Sequence, residues 1–260
     1  MRDSLVLAVA ALGIATTASS SARSSLWTPA PRTSWQWQLT EPVNLSVRAS
    51  VFDIDGFDNS RAVVARLHGL GRRVICYLDV GAYESYRPDA KAFPSALLGR
   101  LDEPWVGERW LDIRRIDLLA PIIRRRLDMC RSKGFDGVEF DEIDGYSNDT
   151  GFPLTGADQI RYNRFLAREA HKRGLAAGMK NDVEQIPMLV RDFEFAVNEQ
   201  CFEYRECRTL LPFIRAGKAV FEAEYQARTS DFCPQSVRLG LSPMRKHLRL
   251  DAWRQLCPSR

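Results

Sequence analysis

The stretch Gly134-Phe135-Asp136-Gly137-Val138-Glu139-Phe140-Asp141-Glu142-Ile143-Asp144 lies between two helical patterns, and its reading decides the fold. Upstream, the spacing predicts a long helix from about Asp117 to Ser132, stopped by Gly134. Downstream, a second helix is expected over Ala157–Lys172, with Gly174 just past its end. The run Gly137–Ile143 between them reads as a buried strand. Leu175–Asn181 follows as the next strand. Strands separated by helices are parallel, because parallel neighbours need a crossover.

The same alternation extends in both directions. Val47–Ile54 reads as a first strand, and Asp58-Asn59-Ser60 precedes a helical pattern over Ala62–Leu70. Arg73–Val80 is a second strand and Trp110–Ile113 a short third, with Gly137–Ile143 the fourth and Leu175–Asn181 the fifth. Phe193–Asn198, Ala219–Tyr225 and Arg238–Ser242 supply the sixth, seventh and eighth, before a closing helix near Arg245–Gln255. Eight such units predict an α/β fold, a (β/α)8 TIM barrel, as a single domain over residues 35–260. The alternative is an open doubly wound sheet. No GxGxxG or Walker-type loop follows an early strand, which counts against its nucleotide-binding versions.

Composition allows a large core: of 260 residues, 45% are hydrophobic and 27% charged, which excludes a disordered chain. The net charge is only +4, and the 37 basic residues are scattered. Nucleic-acid binders concentrate such charge in a stripe, so no nucleic-acid partner is expected. Met1-Arg2 followed by uncharged Leu5–Ala18 and the small residues Ala18–Ala22 reads as a signal peptide over residues 1–22. The run is short for a membrane span, so the expectation is a secreted chain with no membrane contact after signal removal; a membrane anchor is the alternative. Residues 23–34 read as a flexible leader. The molecule is expected to be a monomer.

Six cysteines in an exported chain suggest disulfides, although fifteen pairings are possible. Cys201 and Cys207 are close enough for a local loop, Cys233 and Cys257 can tie down the chain end, and Cys76 with Cys130 is left by elimination. There is no CxxC and only three His, so neither a zinc site nor any other metal or cofactor is expected.

Polar residues collect at the carboxyl ends of the predicted strands: Asp53 and Asp55, Tyr77 and Asp79, Glu139 and Asp141, Lys180 and Asn181, Asn198 and Glu199, Glu222 and Glu224. In a barrel these ends share the face that holds the active site. Asp58, Asp117 and Asp182 read as helix caps, a role that acidic residues at five strand ends cannot share. Alternation puts Glu139 with Asp141, Asp53 with Asp55 and Glu222 with Glu224 on shared faces, the deeper member of each pair being structural. The fourth and sixth strands have the same parity, so Asp141 and Glu199 can face each other across a cleft. Two facing carboxyl groups are the minimum machinery for glycoside hydrolysis.

Three groups of segments then resemble a known family. They are Trp35-Gln36-Trp37-Gln38-Leu39 with Asp53-Ile54-Asp55-Gly56; Gly134–Asp141 continuing through Asn148-Asp149-Thr150-Gly151-Phe152; and Lys180-Asn181-Asp182 with Asn198-Glu199-Gln200-Cys201. From about Trp35 to the carboxyl terminus the chain is similar to glycoside hydrolase family 114, the endo-α-1,4-polygalactosaminidases. The resemblance implies a (β/α)8 barrel that cleaves α-1,4-linked galactosamine-rich polysaccharide (galactosaminogalactan) internally, without metal. It implies Asp141 as nucleophile and Glu199 as general acid/base, and it favours retention. Phe135 departs from the family pattern, where Cys is common, and so does Glu142, where Asn is commoner.

A galactosamine polymer is a polycation near neutral pH, so an acidic barrel mouth reverses locally the repulsion of a net-positive protein. Asp55, Asp144 and Glu224 are expected to bind sugar ammonium groups. Trp35, Trp37, Tyr77, Tyr146 and Tyr225 would offer flat faces to sugars. Asp53 and Asn181 complete the expected binding residues, with Lys180 either touching substrate or forming a buried ion pair with a neighbouring carboxylate. Three rival readings remain at this level. A chitinase-like enzyme would need a Glu where Ile143 stands; a metal-dependent barrel would use Lys180 as base; a non-catalytic carbohydrate-binding barrel would bind without cleaving.

Overall fold

The computed structural model describes residues 26–258. The predicted signal peptide lies outside the described residues. The described part of the leader rests on the amino-terminal end of the strands: the Trp27 ring lies 5.9 Å from Phe195, and the Pro29 carbonyl accepts from the Ala219 N–H at 2.8 Å.

In chain order the elements are β1 (Trp35–Gln38), β2 (Val51–Asp55), α1 (Arg61–Gly69), β3 (Arg73–Asp79), β4 (Ala82–Glu84), β5 (Leu98–Leu101), β6 (Glu108–Leu111) and α2 (Ile116–Lys133). Then come β7 (Gly137–Asp141), α3 (Gly156–His171), β8 (Ala176–Lys180), α4 (Ile186–Leu189) and β9 (Phe195–Glu199). The last are α5 (Leu211–Arg215), β10 (Val220–Glu224), α6 (Thr229–Leu239), β11 (Ser242–Lys246) and β12 (Arg254–Leu256). The main sheet runs β1-β2-β3-β7-β8-β9-β10-β11-β12. Its neighbours pair in parallel from β1 through β11, and β12 is antiparallel to β11. Across the seam the Trp35 Nε1–H donates to the Ser242 carbonyl at 2.8 Å. This is the (β/α)8 barrel that the alternation predicts.

The membership of the eight differs from expectation at three places. Trp110–Ile113 is not a barrel strand: β6 pairs antiparallel with β4 and β5 in a small sheet inserted between β3 and α2. Its place is taken by β1, whose Gln36 and Gln38 interrupt the apolar run yet are buried because their amides donate to the carbonyls of Ala252, Thr40 and Pro42. Arg238 and Leu239 end α6 instead of opening a strand; the last barrel strand starts at Ser242. Arg245–Gln255 is not a helix but the end of β11, a turn and β12. The polar sequence Arg245-Lys246 conceals that strand, because the buried Lys246 ammonium donates to the carbonyls of Asp251 and Trp253 at 2.6 and 2.7 Å.

Two apolar layers hold the barrel. Trp35, Trp37, Ile75, Phe195, Phe221 and Met244 fill its interior. Phe52, Ile54, Val74, Phe140 and Met179 face outward to Leu67, Leu127 and Leu166 of the helices. The period-two alternation of each strand builds both layers at once. Among the described residues, disulfides join Cys76 of β3 to Cys130 of α2, Cys201 to Cys207 after β9, and Cys233 of α6 to Cys257 at the chain end. Arg126 on α2 anchors the insert: it donates to Asp89 at 2.8 and 2.9 Å and to the Asp79 carbonyl at 2.6 Å.

Candidate active site

Asp141, Lys180 and Glu199 are each the last residue of a barrel strand, on β7, β8 and β9. Each is followed by a residue in the left-handed region: Glu142 at φ 54, Asn181 at φ 46 and Gln200 at φ 59. Such backbone is strained for non-glycine residues and persists where its surroundings over-determine it. Here it breaks three neighbouring strands at the same level and leaves their final side chains pointing into the mouth. The β7 turn is held from outside by Gly81, where an added Cβ would stand 1.5 Å from the Glu142 carbonyl oxygen.

The Lys180 ammonium bridges the two carboxylates, 2.8 Å from Asp141 Oδ1 and 2.7 Å from Glu199 Oε2. The two bridged oxygens are therefore at most about 5.5 Å apart. Asp141 also accepts from the Tyr77 hydroxyl at 2.8 Å and from the Glu142 N–H at 3.0 Å. Glu199 accepts from the Tyr225 hydroxyl, and its own N–H donates to Asn181 at 3.1 Å. Trp37 forms the floor, with Lys180 Nζ 5.2 Å from its ring centre. Burial alone would raise the Asp141 pKa, but the Lys180 charge and the donated hydrogen bonds hold it below the ordinary carboxylate range. Burial works to neutralise Lys180, yet Asp141 and Glu199 push its pKa well up, so it stays an ammonium. Burial, followed by the adjoining carboxylates, pushes the Tyr77 and Tyr225 phenols up, so both remain donors.

Three cavities meet at this centre. One of about 330 Å³ lies over Trp37 and Tyr77, one of about 200 Å³ is walled by Asp102, Glu142 and Asp144, and one of about 260 Å³ runs past Tyr146, Glu184 and Tyr204. The first two share Asp141 and Lys180, and the third reaches Glu199. Acidic side chains dominate all three walls.

The sequence-predicted residues divide into those in the mouth and those that are not. Trp37, Tyr77, Asp141, Asp144, Tyr146, Lys180, Asn181, Glu199 and Tyr225 gather there. Tyr146 donates to Glu184 at 3.3 Å on the rim. Trp35 lies deeper, packed in the barrel interior. Asp55 touches the first cavity, but its carboxylate accepts from the N–H groups of Phe57 and Asp58 at 2.8 and 2.9 Å and pairs with Arg87 at 2.7 Å. Asp53 is wholly buried below the floor beside Glu139; burial lifts its pKa to about 7 and that of Glu139 well above the usual range, so the pair holds a proton. Glu224 faces away from the mouth, because the inward residues of β10 are Phe221 and Ala223; it is fully buried and accepts from the Phe202 N–H at 2.8 Å.

Sequence reasoning missed Glu84, Asp102 and Glu108 and the half-exposed Tyr86 and Trp105, all on the inserted segment. It also missed Tyr204 and Glu206. The signal available for the insert was the aromatic-acidic density of residues 79–110, which the barrel-strand reading of Trp110 absorbed.

Carboxyl pairs at the ends of alternate barrel strands, lining an acidic and aromatic-rimmed cleft, are the apparatus of glycosidic bond cleavage, and the chain is a glycoside hydrolase. It belongs to glycoside-hydrolase family GH114, whose model matches residues 16–260. The crystal structure of Aspergillus fumigatus Ega3 in complex with galactosamine superposes with a TM-score of 0.85 at 38% identity, over 94% of this chain and 100% of that one. The glycoside hydrolase domain of PelA from Pseudomonas aeruginosa has the same fold, with a TM-score of 0.69 at 16% identity over 85% of this chain and 97% of that one. An uncharacterized protein of Deinococcus radiodurans is 32% identical over 209 residues, which are 72% of this chain and 66% of that protein. Among the described residues no helix is long and apolar enough to cross a membrane.

Proposed function

We propose that the protein is a secreted, endo-acting hydrolase of α-1,4-linked galactosamine-rich polysaccharide that works with retention of configuration. The observation that carries this reading is the Lys180 bridge, which keeps the two strand-end carboxylates within retaining distance inside an acidic cleft. Asp141, with three donors favouring its charged form, is the nucleophile. Glu199, with two donors and the more exposed side chain of the pair, is the acid and then the base. In the first step an Asp141 oxygen bonds to the anomeric carbon while the glycosidic bond breaks and the Glu199 proton passes to the leaving oxygen. In the second, water attacks the same carbon, Glu199 takes its proton, and Asp141 is released.

The galactosamine bound to Ega3, a relative at 38% identity, supports an amino-sugar substrate. The excess of carboxylates around the three cavities suits a polycation. Asp144 serves sugar ammonium groups, Tyr146 and the Trp37 floor serve sugar faces, and Asn181 holds the Glu199 backbone. The amino-terminal signal-like segment and the disulfides support export. The test is incubation with deacetylated α-1,4-galactosamine polymer, reading new reducing ends and the first-formed anomer by NMR. Internal cleavage and an initial α-anomer are expected. Asp141→Asn and Glu199→Gln should each lower turnover by at least about 10²-fold with the fold intact; near-normal cleavage by either variant would sink the assignment.

A further inference from the structure

Glu224, the last residue of β10, has no part in the two-carboxylate mechanism, although its side chain is ionisable and wholly buried. Its Oε1 accepts from the Phe202 N–H at 2.8 Å. Its Oε2 and that of the equally buried Glu222 receive no N–H or O–H from other residues, and the two side chains hydrogen-bond to each other, so a proton lies between them. Glu222 accepts in turn from the Ser236 hydroxyl of α6 at 2.8 Å. The contacts therefore run from α6 through Glu222 and Glu224 to the main chain just beyond Glu199. A buried carboxyl pair costs free energy that a neutral side chain would not. What it supplies here is a strong, fixed acceptor for one main-chain N–H.

The segment that Glu224 holds is tied together internally. The Cys201–Cys207 disulfide closes it, the Tyr204 N–H donates to the Gln200 carbonyl at 2.9 Å, and the Glu206 N–H donates to the Cys201 carbonyl at 2.8 Å. It joins β9 at Glu199–Gln200, where Gln200 adopts the left-handed backbone, and the Gln200 N–H donates to the Ala223 carbonyl at 2.8 Å. A single bond at the joint would let the segment rotate about it; the Phe202 bond to Glu224, two residues on, removes that freedom. In the lumen the Tyr225 hydroxyl and the Lys180 ammonium hold the Glu199 carboxyl itself. Glu224 and Tyr225, adjacent in the chain, thus act on Glu199 from opposite faces of the sheet, one through its backbone and the other at its carboxyl. We propose that Glu224 is a positioning residue for Glu199, setting the reach of that carboxyl toward the leaving oxygen by fixing the segment that follows it. The inference rests on the reading of Glu199 as the acid. A misplacement of about 1 Å at a reacting group costs on the order of 10²-fold, so a contact outside the lumen can act on the chemical step.

The experiment uses two aryl glycosides of one deacetylated α-galactosamine oligosaccharide. They fill the same sugar sites and differ only in the leaving group: a phenol, which needs a proton as it departs, and a dinitrophenol, which departs as the anion. Their kcat/KM values report the step in which the glycosidic bond breaks. Glu199→Gln is the reference and should lose far more on the phenyl than on the dinitrophenyl glycoside. Glu224→Leu removes the acceptor and should follow the same pattern, losing about 10- to 100-fold on the phenyl glycoside and little on the other. Glu224→Asp draws the carboxyl back by one methylene and should lose in the same direction, which keeps the test valid if Glu224→Leu fails to fold. Glu224→Gln keeps an acceptor for the Phe202 N–H and should recover most of the loss. Equal losses on both glycosides in the Leu and Asp variants, or no loss in either, would overturn the inference while leaving Glu199 the acid. A Gln variant as impaired as the Leu variant would overturn it too, because the acceptor would not be what matters. Equal losses on both glycosides in Glu199→Gln would instead overturn the acid assignment in the proposed function, and this inference with it.

Discussion

In the proposed mechanism Lys180 has two partners of opposite need, Asp141 as a nucleophile that must stay ionised and Glu199 as an acid that must carry a proton. Its charge is what keeps the buried Asp141 below the ordinary carboxylate range. Lys180→Met should therefore raise the Asp141 pKa. Because the ionised form attacks, the acidic limb of the kcat/KM profile should move to higher pH, and activity below the new limb should fall. Tyr77→Phe removes one donor and leaves the ammonium, so the same limb should move less and in the same direction. A limb that stays in place in both variants would show that these contacts do not set the charge on Asp141. Asp141, Lys180 and Glu199 were legible in the sequence because a charged residue closing an apolar strand has one place to go in a barrel. Glu224 was not, since alternation puts Phe221, Ala223 and Tyr225 on one face of the strand and Glu222 and Glu224 on the other, and only the packing of Phe221 inward settles which face is the lumen. Asp53 was read on the right face and as the deeper, structural member of its pair, which its complete burial fits; its inclusion among the substrate-binding residues does not fit.

At the scale of elements, α1, α2 and α3 were legible nearly to the residue, because a glycine follows each and their apolar spacing is regular, whereas α6 was not read and the helix expected over Arg245–Gln255 is a strand end, a turn and β12. The spacing read over Ala157–Lys172 became α3, with a capping box between Thr155 and Asp158. The insert was not legible. Three short strands carrying aromatic and acidic residues look like one barrel unit until their antiparallel pairing is seen. The insert matters to the site through its joint with the barrel, where Gly81 lies against the turn that follows Asp141. Gly81→Ala should force the Glu142 backbone to move, costing about 1–3 kcal/mol and lowering kcat together with stability. Gly71→Ala is the control: its φ is +74 with no atom near the added carbon, so it should cost about 1 kcal/mol and leave kcat unchanged. Unfolding midpoints with kcat for both variants check the contrast, and an unaffected kcat in Gly81→Ala would separate the insert from the site.

Over the whole molecule, a formal charge of +4 conceals a set of buried carboxyl groups that the fold holds partly protonated. Burial is the leading cause in each case, lifting Glu222 and Asp182 to about 8, Asp53 and Glu224 to about 7, and Asp102 and Asp144 to about 6. In the unfolded chain the same groups ionise near 4, so between about pH 4 and 8 the native state binds more protons. Stability contributed in this way is complete below the unfolded pKa and is lost as pH rises through the folded one. Glu169, lowered to about 2 by its arginine and lysine partners against the cost of burial, works in the opposite sense but only below that window. Lys246, which burial lowers to about 7, gains stability for the fold above pH 7 and offsets one group of the many. The thermal midpoint should therefore be several degrees higher at pH 5 than at pH 8. Glu222 offers the sharper check, because it lies on the helix side of β10, accepts from the Ser236 hydroxyl at 2.8 Å and hydrogen-bonds to Glu224. Glu222→Gln keeps a donor toward Glu224 at every pH and cannot ionise. Its midpoint at pH 8 should rise toward its value at pH 5; a variant as pH-sensitive as the wild type would mean that Glu222 is already ionised in the folded barrel.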